Sequence, residues 1–167
     1  MLETARLILK PLTYLQLVKY LQADGSLENE LGLNTTSRSI SPELKEAFEQ
    51  TILPNVADET KNYLYCTLWT IISRADNKMV ADLCIVGEPN EAGEIEIGYG
   101  TYEAFRKHGY MTEAVGAIID WARSQPKVSS IVAGTHKDNA DSYSILLKNN
   151  FVKIGETDGL LHWKLNF

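Results

Sequence analysis

Apolar residues recur along this chain with two different periods, and the places where the period changes mark out its elements. In residues 4–12, Leu7 and Leu9 alternate with Arg6, Ile8 and Lys10, which is the two-residue period of a strand, and Pro11 closes it. Thr13 suits a helix N-cap, and Leu15, Val18 and Leu21 then fall on one face of a helix running to about Ala23. Asp24-Gly25-Ser26 ends that helix, and residues 27–40 are polar, without a period, and read as irregular. Ser41-Pro42-Glu43 begins a second helix with proline in its first turn. Leu44, Phe48 and Ile52 share one side of it, and it is expected to end near Pro54.

From Asn62 the pattern turns to strands. Residues 63–73 are rich in aromatic and β-branched side chains, 79–86 follow after an Ala75-Asp76-Asn77-Lys78 turn, and 94–99 follow after a turn at 89–93. Three such runs in succession predict an antiparallel meander. After Gly109 the period becomes helical: Met111, Val115, Ile118 and Ala122 lie on one face until Pro126. A short buried strand at 130–135, a helix at 138–148 and strands at 151–155 and 160–165, joined by a Thr157-Asp158-Gly159 turn, complete the chain. This order predicts an α+β domain with a mixed, mostly antiparallel sheet of six to seven strands and about four helices.

Composition narrows the function. A chain of 167 residues with 44% hydrophobic residues fits a single domain spanning residues 1–167, with enough apolar material for a core of its own. Cys66 and Cys84 lack metal-ligand or disulfide spacing and sit in apolar runs, so they read as buried structural thiols, and no metal site is expected. Trp69, Trp121 and Trp163 read as core residues. A net charge of −6 without a basic tail makes nucleic acid a poor partner and favours cationic ones. No segment has the pattern of a signal peptide or the length of a membrane span, so no membrane partner and a cytoplasmic location are expected.

One stretch departs from this acidic background: Arg106-Lys107-His108-Gly109-Tyr110-Met111-Thr112, between a strand and a strong amphipathic helix. The first N–H groups of a helix are unpaired and carry positive partial charge, so a loop at that point can wrap a phosphate or pyrophosphate. Gly109 permits close backbone approach, and Arg106, Lys107 and His108 add cationic side chains. On these residues alone a plain turn with solvated basic residues remains the alternative. The pattern is neither a Walker loop nor a dinucleotide-binding fingerprint.

Arg106-x-x-Gly109-x-Met111 resembles the coenzyme-A loop of the GNAT superfamily of N-acetyltransferases, whose pattern is Gln/Arg-x-x-Gly-x-Gly/Ala, with Met111 departing at the last position. The resemblance covers most of the chain. Residues 3–12, Glu-Thr-Ala-Arg-Leu-Ile-Leu-Lys-Pro-Leu, look like the first strand of the branch related to ribosomal-protein N-terminal acetyltransferases (RimJ/RimL-like). Glu94-Ile95-Glu96-Ile97-Gly98-Tyr99 looks like its fourth strand, and Asn139-x-x-Ser142 with Leu146, Lys148 and Phe151 like its fourth-helix motif. Asn150 stands where the family usually has glycine.

The resemblance implies a sheet in which two parallel strands splay apart around acetyl-CoA. The backbone of Ile97, Gly98 and Tyr99 would pair with pantetheine, the N–H groups of Lys107, His108, Gly109, Tyr110, Met111 and Thr112 would hold the pyrophosphate, and Asn139 would contact the cofactor from across the gap. Acyl transfer to an amine needs a proton acceptor, and Glu96, facing opposite Ile95 and Ile97, is the candidate; the alternative is that Glu94 and Glu96 solvate an open sheet face. The tyrosine that many members carry on the fourth helix is Leu146 here, so Ser142 takes the role of acid to the leaving thiolate, unless it only bonds its own helix. Tyr143 is expected to point elsewhere. A His136, Asp138 and Ser142 arrangement lacks a nucleophile-elbow sequence. The expected acceptor is a primary amine, either a protein N-terminus or a small amine such as a polyamine or antibiotic. A non-catalytic acyl-CoA-binding module is the alternative function, an interaction domain without cofactor a third, and monomer and homodimer both stay open.

Overall fold

The computed structural model describes residues 1–167. Eight strands form one sheet: β1 (Leu2–Glu3), β2 (Leu7–Pro11), β3 (Leu68–Ser73), β4 (Lys78–Ile85), β5 (Glu94–Thr101), β6 (Ser130–His136), β7 (Val152–Thr157) and β8 (Leu160–Asn166). Their order is β1-β2-β3-β4-β5-β6-β8-β7, antiparallel throughout except for β5 beside β6. Six α-helical segments accompany it: α1 (Tyr14–Gln22), α2 (Ser26–Leu31), α3 (Pro42–Ala47), α4 (Leu53–Ala57), α5 (Tyr110–Arg123) and α6 (Ala140–Lys148). The α+β mixed sheet is as the apolar pattern predicts, with β1 as an additional edge strand.

Alternation along the strands sorts side chains onto two cores. Leu7, Leu9, Trp69, Ile71, Leu83, Ile95 and Ile97 join the α5 face in a cluster of 25 buried residues. Leu68, Ile72 and Met79 turn the other way, to Leu17, Tyr20, Leu27, Phe48 and Ile52 of α1, α2 and the helical rod after Pro42. Covering on both faces is why β3 is buried at every position. Trp69 and Trp163 are buried, and half-buried Trp121 packs on Tyr65 and Trp69. Cys66 and Cys84 are both free thiols.

Local chemistry explains where the elements start. Thr13 and Gln16 form a capping box on α1, Ser41 caps α3, and Asp158 and Gly159, both at positive φ, make the two-residue hairpin turn between β7 and β8. Three expectations need correction. The helix expected to stop near Pro54 continues to Ala57, because a π turn at Phe48–Ile52 widens the rod ahead of the proline ring. The strand expected from Tyr63 starts at Leu68, because the Asn62 side chain accepts from Leu64 N–H and holds Tyr63–Tyr65 in a 3-10 turn. The stretch read as irregular contains α2.

That helix has no apolar stripe because it buries a charge. Glu28, on α2, forms an ion pair with Arg38, and each side chain is only 2% exposed. Arg38 also donates to Tyr20 O at 3.1 Å and lies over the Tyr20 ring, 4.6 Å from its centre. The returning segment thus supplies the cover that apolar residues would otherwise provide. Nearby, on the same sheet face, Asp82 Oδ2 accepts from Tyr20 Oη and Tyr102 Oη, each at 2.6 Å, while Oδ1 is buried with no partner. Burial pushes the Asp82 carboxyl up to about 6, against the hydrogen bonds from Tyr102 and Tyr20.

Two measurements check this polar layer. Arg38→Leu should cost about 3–5 kcal/mol in urea unfolding, because Glu28 is left buried and unpaired, and Glu28→Leu added to it should restore much of the loss. The raised pKa of Asp82 means that the native state holds its proton more firmly than the unfolded chain. This contribution is complete below about pH 4 and fades as pH rises through about 6. Unfolding free energies of wild type and Asp82→Asn, compared from about pH 4 to about pH 7, should therefore move against wild type by about 2 kcal/mol. A constant difference would show that Asp82 ionises as freely as in the unfolded chain.

Candidate active site

The site begins where β5 and β6 part. They pair in parallel only at Glu94, Ile95 and Glu96, opposite Ser130, Ile131 and Val132. Beyond that point β5 follows β4 to Thr101, while β6 follows β8 to His136. A V-shaped gap opens between them. Val86 N–H donates to Glu96 O, so Glu96 turns its backbone toward β4, and by alternation so does Gly98. Ile97 and Tyr99 therefore present their backbone groups to the gap. Of the three residues expected to pair there, Gly98 lies opposite Cys84 on the β4 side instead.

A cleft of about 680 Å³ runs along the mouth of this gap, between β5, the loop before α5 and the start of α6. It brings together Tyr99, Arg106, Lys107, His108, Gly109, Tyr110, Met111, Thr112, Asn139 and Ser142. Glu96, Ile97 and Gly98 do not line it. Ile97 points into the core, and Glu96 is exposed on the opposite face of the sheet, at the fork of the V. Glu94, on the same face, is taken by Lys164 at 2.7 Å.

The loop is shaped for an anion. Lys107 and Gly109 both have positive φ, 64° and 75°, flanking His108. No N–H group from Lys107 to Thr112 finds an acceptor in the protein. Such a row at the start of a 14-residue helix is a site for negative charge. Met111, which departs from the family pattern, is 3% exposed and directs its side chain into the core, so its size leaves the outer surface of the loop clear. His108 Nδ1 lies 2.8 Å from Arg106 O and its ring stacks on Tyr110.

Across the cleft, the Asn139 side-chain oxygen accepts from Ser142 N–H at 3.1 Å and so caps α6. Tyr99 Oη donates to Ser142 O at 2.9 Å and lies 3.4 Å from Ser142 Oγ. Burial raises the Tyr99 phenol above its ordinary pKa, against the hydrogen bond with Ser142. Leu146 is buried in the core and Tyr143 stacks on Trp163, so neither helix position offers a hydroxyl to the cleft. The strand supplies one instead, through the Tyr99 side chain, which the sequence reading valued only for its backbone. Lys148 was missed as a lining cation, although Asp141, Ser144, Ile145 and Lys148 reach the cleft at helical spacing. His136 is exposed and makes no hydrogen bond to Ser142. No cluster of three or more His, Cys, Asp and Glu side chains could hold a metal ion, and no helix is long and apolar enough to cross a membrane.

Comparison with known proteins agrees with this geometry. Residues 6–152 match the model of the acetyltransferase (GNAT) domain. An uncharacterized N-acetyltransferase of Bacillus subtilis (strain 168), YjdG, is 31% identical over 166 residues, covering 98% of this chain and 96% of the relative. Among solved structures, a ribosomal-protein-S5-alanine acetyltransferase from Vibrio fischeri superposes with a TM-score of 0.71 at 18% identity, covering 98% of this chain and 94% of that one. A spermidine N-acetyltransferase from Vibrio cholerae, solved with CoA and spermine, superposes at 0.65 and 11% identity, covering 98% and 96%. At these identities the two structures share the fold. The family match over most of the chain, the full-length relative and the gap between β5 and β6 agree: the chain belongs to the GNAT acetyltransferase family and is an N-acetyltransferase.

Proposed function

We propose that this single domain transfers an acetyl group from acetyl-CoA to a primary amine, in the manner of the RimJ/RimL-like branch. The observation that carries the cofactor assignment is the row of unpaired N–H groups from Lys107 to Thr112, flanked by Arg106 and facing Lys148 across the cleft. A pyrophosphate there would accept backbone hydrogen bonds and lie on the positive end of α5. The open backbone groups of Ile97 and Tyr99 suit the amides of pantetheine, which would carry the thioester to the fork of the V.

Each chemical step then has a group nearby. Glu96, exposed at the fork, takes the proton of the attacking ammonium, directly or through water. The amine nitrogen bonds to the acetyl carbon and gives up its second proton to solvent, the carbon–sulfur bond breaks, and the thiolate takes a proton from Tyr99 Oη or Ser142 Oγ, which lie 3.4 Å apart and are reprotonated from solvent. Two hydroxyls at this point make either one partly dispensable, and thiolates leave readily because thiols ionise near neutral pH. For the acceptor, exposed Glu96 on the sheet face beyond the gap, in a chain of net charge −6, favours an amine that arrives as a cation. A protein N-terminus and a polyamine both meet that requirement.

Thermal unfolding with and without acetyl-CoA tests the cofactor site. At about 100 times Kd the midpoint should rise by roughly 5–10 °C, and the rise should vanish in an Arg106→Glu, Gly109→Trp double variant. No rise at saturating acetyl-CoA would refute the assignment. Turnover, followed by thiol release with a panel of N-terminal peptides and polyamines, tests Glu96: Glu96→Gln should lower kcat/KM about 100-fold while leaving the acetyl-CoA midpoint shift unchanged. A kcat/KM within about twofold of wild type would move the proton acceptor elsewhere.

A further inference from the structure

Arg6 belongs to the first strand motif, far in sequence from the loop, yet its side chain reaches both the loop and the first turn of α5. Its own backbone is held on both sides: its N–H donates to Glu113 Oε1 at 3.1 Å, and its carbonyl accepts from Arg74 N–H at 2.9 Å. From this anchored position its guanidinium reaches behind the loop. Nε donates to Glu113 Oε2 at 2.6 Å, one terminal nitrogen donates to His108 O at 3.0 Å, and the group lies 5.1 Å from the centre of the Tyr110 ring. The other terminal nitrogen is 3.5 Å from where a Cβ on Gly109 would stand. Glu113 is itself held by Thr4 Oγ1 at 2.6 Å. Partial burial pushes the Glu113 carboxyl up, but the hydrogen bonds from Thr4 and Arg6 outweigh this and keep it below the usual carboxylate range.

The consequence lies in the peptide between His108 and Gly109. In a trans peptide the carbonyl and the N–H point in opposite directions. An Arg6 guanidinium that holds His108 O therefore aims Gly109 N–H the other way, toward the cleft. We propose that Arg6 is a positioning residue for the cofactor: by gripping the His108 carbonyl from behind, it turns the N–H groups of the loop toward the pyrophosphate before the cofactor arrives. The contribution is orientation rather than charge, because Glu113 neutralises Arg6 at 2.6 Å. The half-exposed pair adds little stability on its own, and its value lies in the direction it imposes. This inference rests on the acetyl-CoA reading given above.

The test is CoA affinity of the intact protein, measured by calorimetry. Wild type is compared with Arg6→Gln and with Arg74→Gln, which breaks an ion pair to Glu3 on the same N-terminal segment without touching the loop. Arg6→Gln should weaken CoA roughly tenfold or more, and Arg74→Gln should change it by less than about twofold. Pantetheine, which lacks the pyrophosphate, separates aiming from folding: its effect on the unfolding midpoint, at one fixed concentration, should be the same in wild type and Arg6→Gln. Equal weakening of both ligands, or CoA binding as tight as wild type in Arg6→Gln, would overturn the assignment. If wild type itself fails to bind CoA, the cofactor reading falls first and this inference with it. Should Arg6→Gln fail to fold, Arg6→Lys carries the same comparison, since one ammonium cannot reproduce the fork between His108 O and Glu113.

Discussion

Three parallel residue pairs, Glu94–Ser130, Ile95–Ile131 and Glu96–Val132, join the two halves of this sheet, and the site depends on their being so few. Beyond the junction each strand stays paired on its other side, β5 to β4 and β6 to β8, so both remain in the sheet while their gap-facing backbone groups are left open. What keeps the halves together past the junction is the packing underneath: Met111, Val115 and Ile118 of α5 and Leu146 of α6 belong to the same buried cluster as Ile97 on one side and Trp163 on the other. The gap is therefore a rigid opening in a well-packed domain. Tyr99 bridges it below the mouth through its hydrogen bond to Ser142 O.

The two faces of the sheet divide the work. On the α5 face, unpaired backbone N–H groups and basic side chains line the cleft. On the other face lie carboxylates, with Glu96 exposed at the fork and Asp82 buried among tyrosines. In a net acidic protein, Arg106, Lys107 and Lys148 thus come together around a short loop and a helix end. Tyr102 connects the two sides physically, since its hydroxyl is fixed to Asp82 and it is followed directly by the turn that leads into the basic loop.

Much of this was legible from periodicity. Strands β2, β4, β5, β6 and β8, helices α1, α5 and α6, and the hairpin turn at Asp158-Gly159 all carry local signals, and the structure places them within a few residues of where those signals fall. The loop from Arg106 to Thr112 was legible for the same reason: a helix start, a glycine and a basic run are adjacent in sequence. The elements that misled were those whose stability is not local. Helix α2 hides its buried side in Glu28, whose partner Arg38 stands ten residues away, and the rod through Pro54 survives only because a π turn precedes it.

The sequence by itself determined most of the order of elements, the family to which the residues point and the adjacency of a basic run, a glycine and a helix start, because periodic burial, caps and helix termini act between neighbours in the chain. Only the tertiary structure decided that Tyr99 offers its hydroxyl beside Ser142, that Gly98 turns its backbone away from the gap while Ile97 and Tyr99 face it, and that Arg6 stands behind a loop more than a hundred residues further on. Those facts depend on where one strand stops pairing with the next and on which distant side chain fills the space left behind, and neither quantity has a period that a one-dimensional pattern could carry.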